Sequence, residues 1–352
     1  MNFAEIWWRQ VGRSLRLCQE VVRRAYAETS FVLYLPRRLP WEAEFYDVMK
    51  DRLSSLQADR MVRFVTCSGL QPGEQVLSEL CSEDVRTGYW PGQSPAVYLA
   101  GLSDIPLNQM FVWVRQIETA GQLEQWRSFA AQYTATAVRR DPEALHAVFI
   151  LESRKAASSP AGESAVQYGI TDGDCQVFCL EAAALQEELP TEYLATLAQC
   201  VGAGDPELSG RLILRGKTFL QDPVNTARQV LSDESADSGE PFAGADETVL
   251  HLRVWRAQIM TLFALVEEKR LAYIRTNEDR LRAWMPTPAE NGALIRDPYE
   301  LEFGNLFYMT RHAETDFTRQ ETEQIELCRE VRNLLAHNEL VPYDKVQALL
   351  QS

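Results

Sequence analysis

The segment Ser30-Phe-Val-Leu-Tyr-Leu-Pro36 opens a strand–helix–strand pattern in the first part of the chain. Its β-branched and aromatic composition is typical of a short buried strand. Trp41–Leu56 follows with the apolar spacing of a helix, and Met61–Thr66 again has the composition of a strand. Strands separated by helices of this length indicate an α/β domain with a parallel or mixed sheet.

The same alternation continues through the first half of the chain. A helix is predicted at Gly121–Ala137, and the small polar stretch Ser153–Ser164 is predicted to be a surface loop. Further strands are predicted at Ala96–Ala100, Met110–Val114, Ala147–Leu151, Ala165–Ile170 and Cys175–Leu180. We therefore expect an α+β or α/β domain over residues 1–231, with a regulatory or partner-binding role.

A change of composition then marks a predicted domain boundary. Residues 232–246, SDESADSGEPFAGAD, are acidic and contain almost no large apolar side chain, which predicts a flexible linker. Beyond it, residues 247–352 are expected to form an all-α bundle of four helices. Thr248–Trp284 carries a long helical stripe, Asp297-Pro298 resembles a helix start, and Thr318-Arg-Gln-Glu321 has the form of a capping box.

Bulk composition narrows the class of protein. The 352 residues carry a formal net charge of −15, which opposes non-specific binding to long nucleic acid. Apolar runs are shorter than the ~20 residues that span a bilayer, so no membrane association is expected and the predicted location is the cytoplasm.

The seven cysteines include no CxxC pair, which favours small buried thiols over a metal site. Neither a metal nor a cofactor is expected.

One segment imitates a phosphate-binding loop. Gly210 and Gly216-Lys217-Thr218 are separated by five residues where a P-loop needs four, and those residues are bulky. The loop after the first predicted strand, Leu35–Pro40, has no glycine either. The N-terminal domain therefore lacks a Walker A motif. If it derives from a P-loop ATPase, it has lost the element that binds nucleotide and would act as a degenerate, ATPase-like regulator.

The last predicted long helix carries the best candidate for chemistry. Its sequence ends in Val331-Arg332-Asn333-Leu-Leu-Ala-His337-Asn338. At 100° per residue, Arg332 falls at the edge of the apolar arc, whereas Asn333 and His337 fall on the polar side. An arginine at the border of a packed seam requires a partner, because an unpaired buried charge is costly.

These residues resemble the signature of the HEPN superfamily, in which an arginine, usually followed by a polar residue, precedes a histidine. Four residues lie between Arg332 and His337. The resemblance covers about residues 249–350, and it includes the long first helix, the Asp-Pro-x-x-Leu-Glu segment Asp297–Glu302 and a short closing helix.

The resemblance implies a metal-independent endoribonuclease. His337 would be the general acid or base at the ribose 2′-OH, Arg332 would stabilise charge on the phosphate, and Asn333 would position the pair. It also implies a homodimer through the C-terminal helices, an RNA substrate (tRNA or mRNA), and a role as a prokaryotic toxin or antiviral defence effector.

Two alternatives remain open from the sequence. The domain would also fit a non-catalytic adaptor or dimerisation subunit that binds other proteins of a multi-protein antiphage defence complex. The motif itself would then be structural. Arg332 would pair with Glu268, Glu302 or Glu330, and His337 would be a cation at a helix C-terminus.

Overall fold

The computed structural model describes residues 2–57, 59–69, 71–102, 106–154, 165–288, 292, 294–312 and 317–351. The chain divides into two compact units, Met1–Asp174 and Cys175–Ser352. Most of the surface loop predicted at Ser153–Ser164 lies outside the described residues.

The first unit is built on a five-stranded sheet in the order β2-β3-β4-β1-β5. Every neighbouring pair of strands is parallel. The strands are β1 (Phe31–Tyr34), β2 (Met61–Thr66), β3 (Met110–Ile117), β4 (Val148–Ser153) and β5 (Ala165–Gln167). The α/β class with a parallel sheet is confirmed. Each of these five strands overlaps a predicted one.

Seven helices accompany these strands within the described part of the first unit. They are α1 (Phe3–Arg9), α2 (Gly12–Tyr26), α3 (Glu42–Leu56), α4 (Pro72–Leu80), α5 (Glu83–Thr87), α6 (Pro95–Gly101) and α7 (Ala120–Arg140), with a 3-10 turn at Pro106–Gln109. A core cluster joins α4, α6 and α7 to the sheet and includes Val112, Trp126, Tyr133 and Phe149. The strand predicted at Ala96–Ala100 is wrong, because Ser94 and Pro95 start α6 there.

The second unit is mainly helical. Its helices are α8 (Asp172–Ala183, which begins at the division), α9 (Thr191–Gly202), α10 (Pro206–Leu214), α11 (Lys217–Gln221), α12 (Pro223–Asp233), α13 (Glu247–Gln258), α14 (Ala264–Thr276), α15 (Glu278–Arg282), α16 (Phe303–His312), α17 (Arg319–Ala336) and α18 (Tyr343–Gln351). A π turn, Ile259–Phe263, joins α13 to α14, and Pro298–Glu300 forms a 3-10 turn. A two-stranded antiparallel pair, β6 (Thr287–Pro288) and β7 (Leu294–Ile295), lies between α15 and α16, so residues 247–352 are not entirely helical.

The compact units differ from the division predicted at residues 232–246. Helices α8 to α12 belong to the second unit, in which α9 packs against α13. Gln258 on α13 donates to the Tyr193 hydroxyl on α9 at 3.0 Å. Arg253 donates to the Val201 carbonyl at 3.1 Å. Composition alone does not show such pairing between distant helices.

The acidic segment 232–246 is folded onto the second unit rather than extended as a flexible linker. Ala236 and Phe242 are buried, and Ser235 forms a β-bridge with Pro241. The Asp237 main-chain N–H donates to Glu207 at 3.3 Å. Two buried side chains, the β-bridge and the bond to Glu207 together anchor a segment whose overall composition is polar.

Two other segments are helical. The strand predicted at Cys175–Leu180 is wrong, because this run lies inside α8. Thr171 and Asp174 bond each other reciprocally through side chain and main chain, which caps that helix at its start. Gly210 lies inside α10, so the Gly210–Thr218 segment is not a phosphate-binding loop.

The continuous helix Glu247–Thr276 has 30 residues and, alone among the described helices, is long and apolar enough to cross a membrane. A core helix of a soluble protein meets the same criteria of length and composition. Gln258, at its middle, is buried and bonded to Tyr193 and to the Val341 main chain. These bonds tie the middle of the helix to the rest of the second unit, and 33% of its most apolar stretch is buried.

Candidate functional site

Helix α17 carries all three predicted site residues, and its start is fixed by a capping box. The Thr318 hydroxyl accepts from the Glu321 main chain at 3.2 Å, and Glu321 accepts from the Thr318 main chain at 2.6 Å. The predicted capping box is therefore confirmed. The helix buries Ile325, Cys328, Val331 and Leu335 along one side.

The end of α17 is a complete Schellman motif. Asn338 adopts a left-handed conformation with φ of 59° directly after His337, the C-cap residue. The Glu339 N–H bonds the Leu334 carbonyl at 2.9 Å, and the Asn338 N–H bonds the Leu335 carbonyl at 3.3 Å. These bonds satisfy carbonyls that a helix end otherwise leaves open, and they set the position of His337.

The structure brings Asn333 and His337 together. Both are exposed, and they lie four residues apart, about 40° around the helix axis. They line an open groove of about 350 Å³ together with Glu330, Leu334, Glu339 and Lys345. Lys345 comes from α18, so the short closing helix contributes one wall. Sequence reasoning missed Lys345, which no motif marks, and considered Glu330 only as a partner of Arg332.

Arg332 does not face this groove. It forms an ion pair with Glu302 at 3.0 Å, which identifies the partner among the three acids considered from the sequence. Its Nε is buried and has no hydrogen-bond partner among the described residues. Arg332 and His337 are five positions apart in the sequence, which places the two side chains about 140° apart around the helix. One copy of the chain therefore does not assemble Arg332 and His337 on one face.

The charge of the groove is mixed. Lys345 forms an ion pair with Glu330, and Glu339 adds a second carboxylate, while His337 lies at the negative end of the helix dipole. An anionic substrate would meet Lys345 and His337 as its favourable contacts. Glu330 and Glu339 would oppose it unless Lys345 left Glu330 for the substrate.

No group of three or more His, Cys, Asp or Glu side chains suits a metal ion within the described residues. All seven cysteines are free thiols, and four of them are buried. Burial raises the pKa of Cys18 and of Cys328 to about 11, so these thiols stay protonated at neutral pH.

The first unit contains a buried charge network that the sequence did not reveal. Glu152, at the end of β4, is completely buried. Its carboxylate accepts from the Tyr46 hydroxyl at 2.9 Å, from the Trp113 indole at 2.8 Å and from Arg154 Nε at 2.7 Å. Burial, and then the negative charge of Glu152, raise the pKa of the Tyr46 hydroxyl. The Glu152 carboxylate thus accepts hydrogen bonds from three side chains of the protein itself.

This network lies at the carboxyl ends of the parallel strands, where open α/β sheets usually bind ligands. Arg154 also donates to Glu42 at 2.8 Å and to the Pro36 carbonyl at 3.3 Å. Pro36 belongs to the loop that follows β1, the position of the phosphate-binding loop in a P-loop protein. Here a guanidinium of the chain bonds that loop, which contains no glycine.

No known protein family matches the chain, and no curated protein does either.

Proposed function

We propose that the second unit is a metal-independent endoribonuclease of the HEPN type. In this proposal the protein is a cytoplasmic defence or toxin effector of a prokaryote, and the first unit controls it. The observation that carries the proposal is the exposed pair of Asn333 and His337 in an open groove at the end of α17. An imidazole with access to solvent and an adjacent amide suits proton transfer near neutral pH.

The reaction would be cleavage by the ribose 2′-OH. His337 would take the proton of that hydroxyl as its oxygen bonds to phosphorus, and the P–O5′ bond would break. The 5′ oxygen would receive a proton, leaving a 2′,3′-cyclic phosphate and a 5′-OH. Asn333 would hold the imidazole or the phosphate, and the guanidinium of Arg332 would stabilise the charge that develops on the phosphate oxygens.

The proposal requires two copies of the chain. Because Arg332 and His337 lie about 140° apart around α17, one helix cannot present both to one phosphate. A symmetric homodimer through the C-terminal helices would supply the arginine from one protomer and the histidine from the other. The leaving 5′ oxygen would take its proton from water.

The ion pair between Arg332 and Glu302 favours a second candidate function. With Arg332 neutralised, and Glu330 and Glu339 lining the groove, the same surface would suit a protein partner better than RNA. The second unit would then be a non-catalytic adaptor that joins other proteins of a multi-protein antiphage defence complex.

Cleavage of total tRNA by the purified protein in EDTA separates these functions. Wild type should cleave, His337→Ala should not, and His251→Ala should cleave like wild type because His251 lies outside the groove. Circular dichroism and sedimentation would establish that all three are folded and share one oligomeric state. Absence of cleavage by a folded, dimeric wild type would favour the adaptor.

A further inference from the structure

A second concave surface, in the first unit, has no part in the proposed nuclease. It is a groove of about 640 Å³ between α7 and the start of β1. Its apolar lining includes Phe31, Val32, Ala130, Ala131, Ala135 and Leu151. This volume lies in the range of pockets that enclose small molecules, and the mainly apolar lining is typical of them.

The groove is open because α7 presents small side chains there. Ala131 and Ala135 are exposed, one turn apart, and Val138, the next large residue on this face, is 41% exposed. The hydroxyl oxygen of Thr134 lines the same wall, is buried, and has no hydrogen-bond partner among the described residues. A bound molecule would cover the apolar wall and offer this hydroxyl a partner.

One end of the groove is polar. Glu28, Thr29, Ser30 and Arg139 line it, where the end of α7 meets the residues before β1. The carboxylate of Glu28 lies 3.5 Å from Arg60, whose side chain is completely buried. A buried guanidinium requires this counter-ion, so Glu28 is not available to neutralise Arg139.

Arg139 is therefore the unbalanced charge at this end. It is exposed and forms no ion pair with the described part of the chain. A second arginine, Arg127, lines the wall nearer the start of α7, but it pairs with Glu124 at 3.8 Å and adds little net charge. Arg139 thus gives its end of the groove a positive charge in a chain whose net charge is −15. Its charge complements an anion, and its wall complements an apolar body.

We propose that this groove binds a small amphipathic anion, with its apolar part against Ala131 and Ala135 and its anionic head at Arg139. The head is a carboxylate, or a phosphate or sulfonate of the same charge sign. Arg139 would donate charge-assisted hydrogen bonds to it, and the apolar part would supply most of the affinity through burial.

The test uses the full chain and two defined probes. Binding of 8-anilinonaphthalene-1-sulfonate is followed by fluorescence, and displacement is compared for decanoate and decylamine. Decanoate should displace the dye, and decylamine should require at least a tenfold higher concentration for the same displacement. Ala135→Trp fills the groove and should abolish binding, whereas Gln125→Trp, an exposed α7 position outside the lining, should leave it unchanged.

The substitutions Arg139→Gln and Arg140→Gln test whether the positive charge of Arg139 contributes to binding, with the neighbouring arginine as the control. Both side chains are exposed, but only Arg139 lines the groove. Arg139→Gln should weaken the binding of decanoate about three- to tenfold, and Arg140→Gln should have little effect on it. Equal displacement by decanoate and decylamine, or equal effects of the two substitutions, would overturn the assignment of an anion. Unchanged dye binding by the Ala135→Trp variant would show that the dye does not bind in this groove, and the proposal would be wrong.

Discussion

Trp255 donates its indole N–H to the main-chain carbonyl of Leu335 at 2.9 Å, across 80 residues of sequence. Leu335 lies in the last turn of α17, between Asn333 and His337. The contact therefore ties the long helix Glu247–Thr276 to the turn that carries the candidate site. It gives the tryptophan of the first C-terminal helix a defined structural role.

Trp255→Phe should loosen that turn while the rest of the second unit stays folded. The substitution keeps an aromatic ring and removes the donor, and a hydrogen bond of this kind contributes about 1 kcal/mol. The free energy of unfolding should fall by about that amount. Amide hydrogen exchange should accelerate at residues 334–339, because those N–H groups close the end of α17. Trp284→Phe, at a half-exposed ring, is the control and should change neither quantity.

Arg332→Gln and Glu302→Gln distinguish a catalytic arginine from a structural one. Their ion pair is largely exposed, with 37% and 60% of the two side chains accessible, so breaking it should cost less than about 1 kcal/mol. If the proposed nuclease is correct, Arg332→Gln should abolish tRNA cleavage, while Glu302→Gln, which frees the guanidinium, should retain or increase it. Loss of cleavage in both variants at unchanged stability would mean that the pair itself is needed.

The central strands of the parallel sheet could be predicted from the sequence because they bury both faces. Phe31–Tyr34 and Val148–Ser153 are short apolar runs with helices between them, and the predicted bounds are close to the observed ones. Cys175–Leu180 has the same appearance but is helical. The deciding signal was local, since Thr171 and Asp174 form a reciprocal cap three residues apart. Short apolar runs are ambiguous until their flanking caps are read.

The candidate site was predictable only along one helix. The predicted polar side of α17 agrees with the exposed positions of Asn333 and His337, because helix geometry relates residues close in sequence. Lys345 reaches the groove through the packing of α18, and Glu152 meets Tyr46 across 106 residues. Such contacts depend on tertiary packing. No periodicity or spacing in the sequence predicts them.

Glu152→Gln should destabilise the first unit strongly. The change leaves Arg154 without its closest carboxylate in a buried setting, and breaking a buried pair of this kind costs about 3–5 kcal/mol. Glu42→Gln, at the more exposed acid bonded to the same guanidinium, should cost about 1 kcal/mol or less. Urea denaturation followed by tryptophan fluorescence measures both, because Trp113 contacts Glu152. Equal costs for the two variants would show that burial of Glu152 contributes nothing.

Helix α2 should contribute less to the stability of the fold at acid pH, because Glu20 becomes protonated there. Hydrogen bonds from Arg23, and further contacts from Arg24, lower the pKa of Glu20 to about 2. The unfolded chain has an ordinary glutamate pKa near 4.3, so the stabilisation is complete above that pH and is lost as pH falls toward 2. Glu20→Gln should therefore cost about 1 kcal/mol at pH 7, given partial solvent screening, and progressively less below pH 4. Urea unfolding at pH 7 and pH 3.5 tests this; a cost independent of pH would contradict it.

Asn338 should tolerate glycine and reject a β-branched residue. Its φ of 59° is the left-handed conformation of a helix C′ position, which glycine and asparagine adopt with little strain. Asn338→Gly should leave the stability within about 0.5 kcal/mol, whereas Asn338→Val should cost on the order of 1–2 kcal/mol. Because residue 338 follows His337 directly, strain at a valine there should also reduce tRNA cleavage, while the glycine variant should cleave normally. Thermal unfolding and the cleavage assay on the same preparations measure both effects. Equal stability of the two variants would mean that the turn rearranges without the left-handed residue, and the position of His337 would then not depend on the Schellman motif.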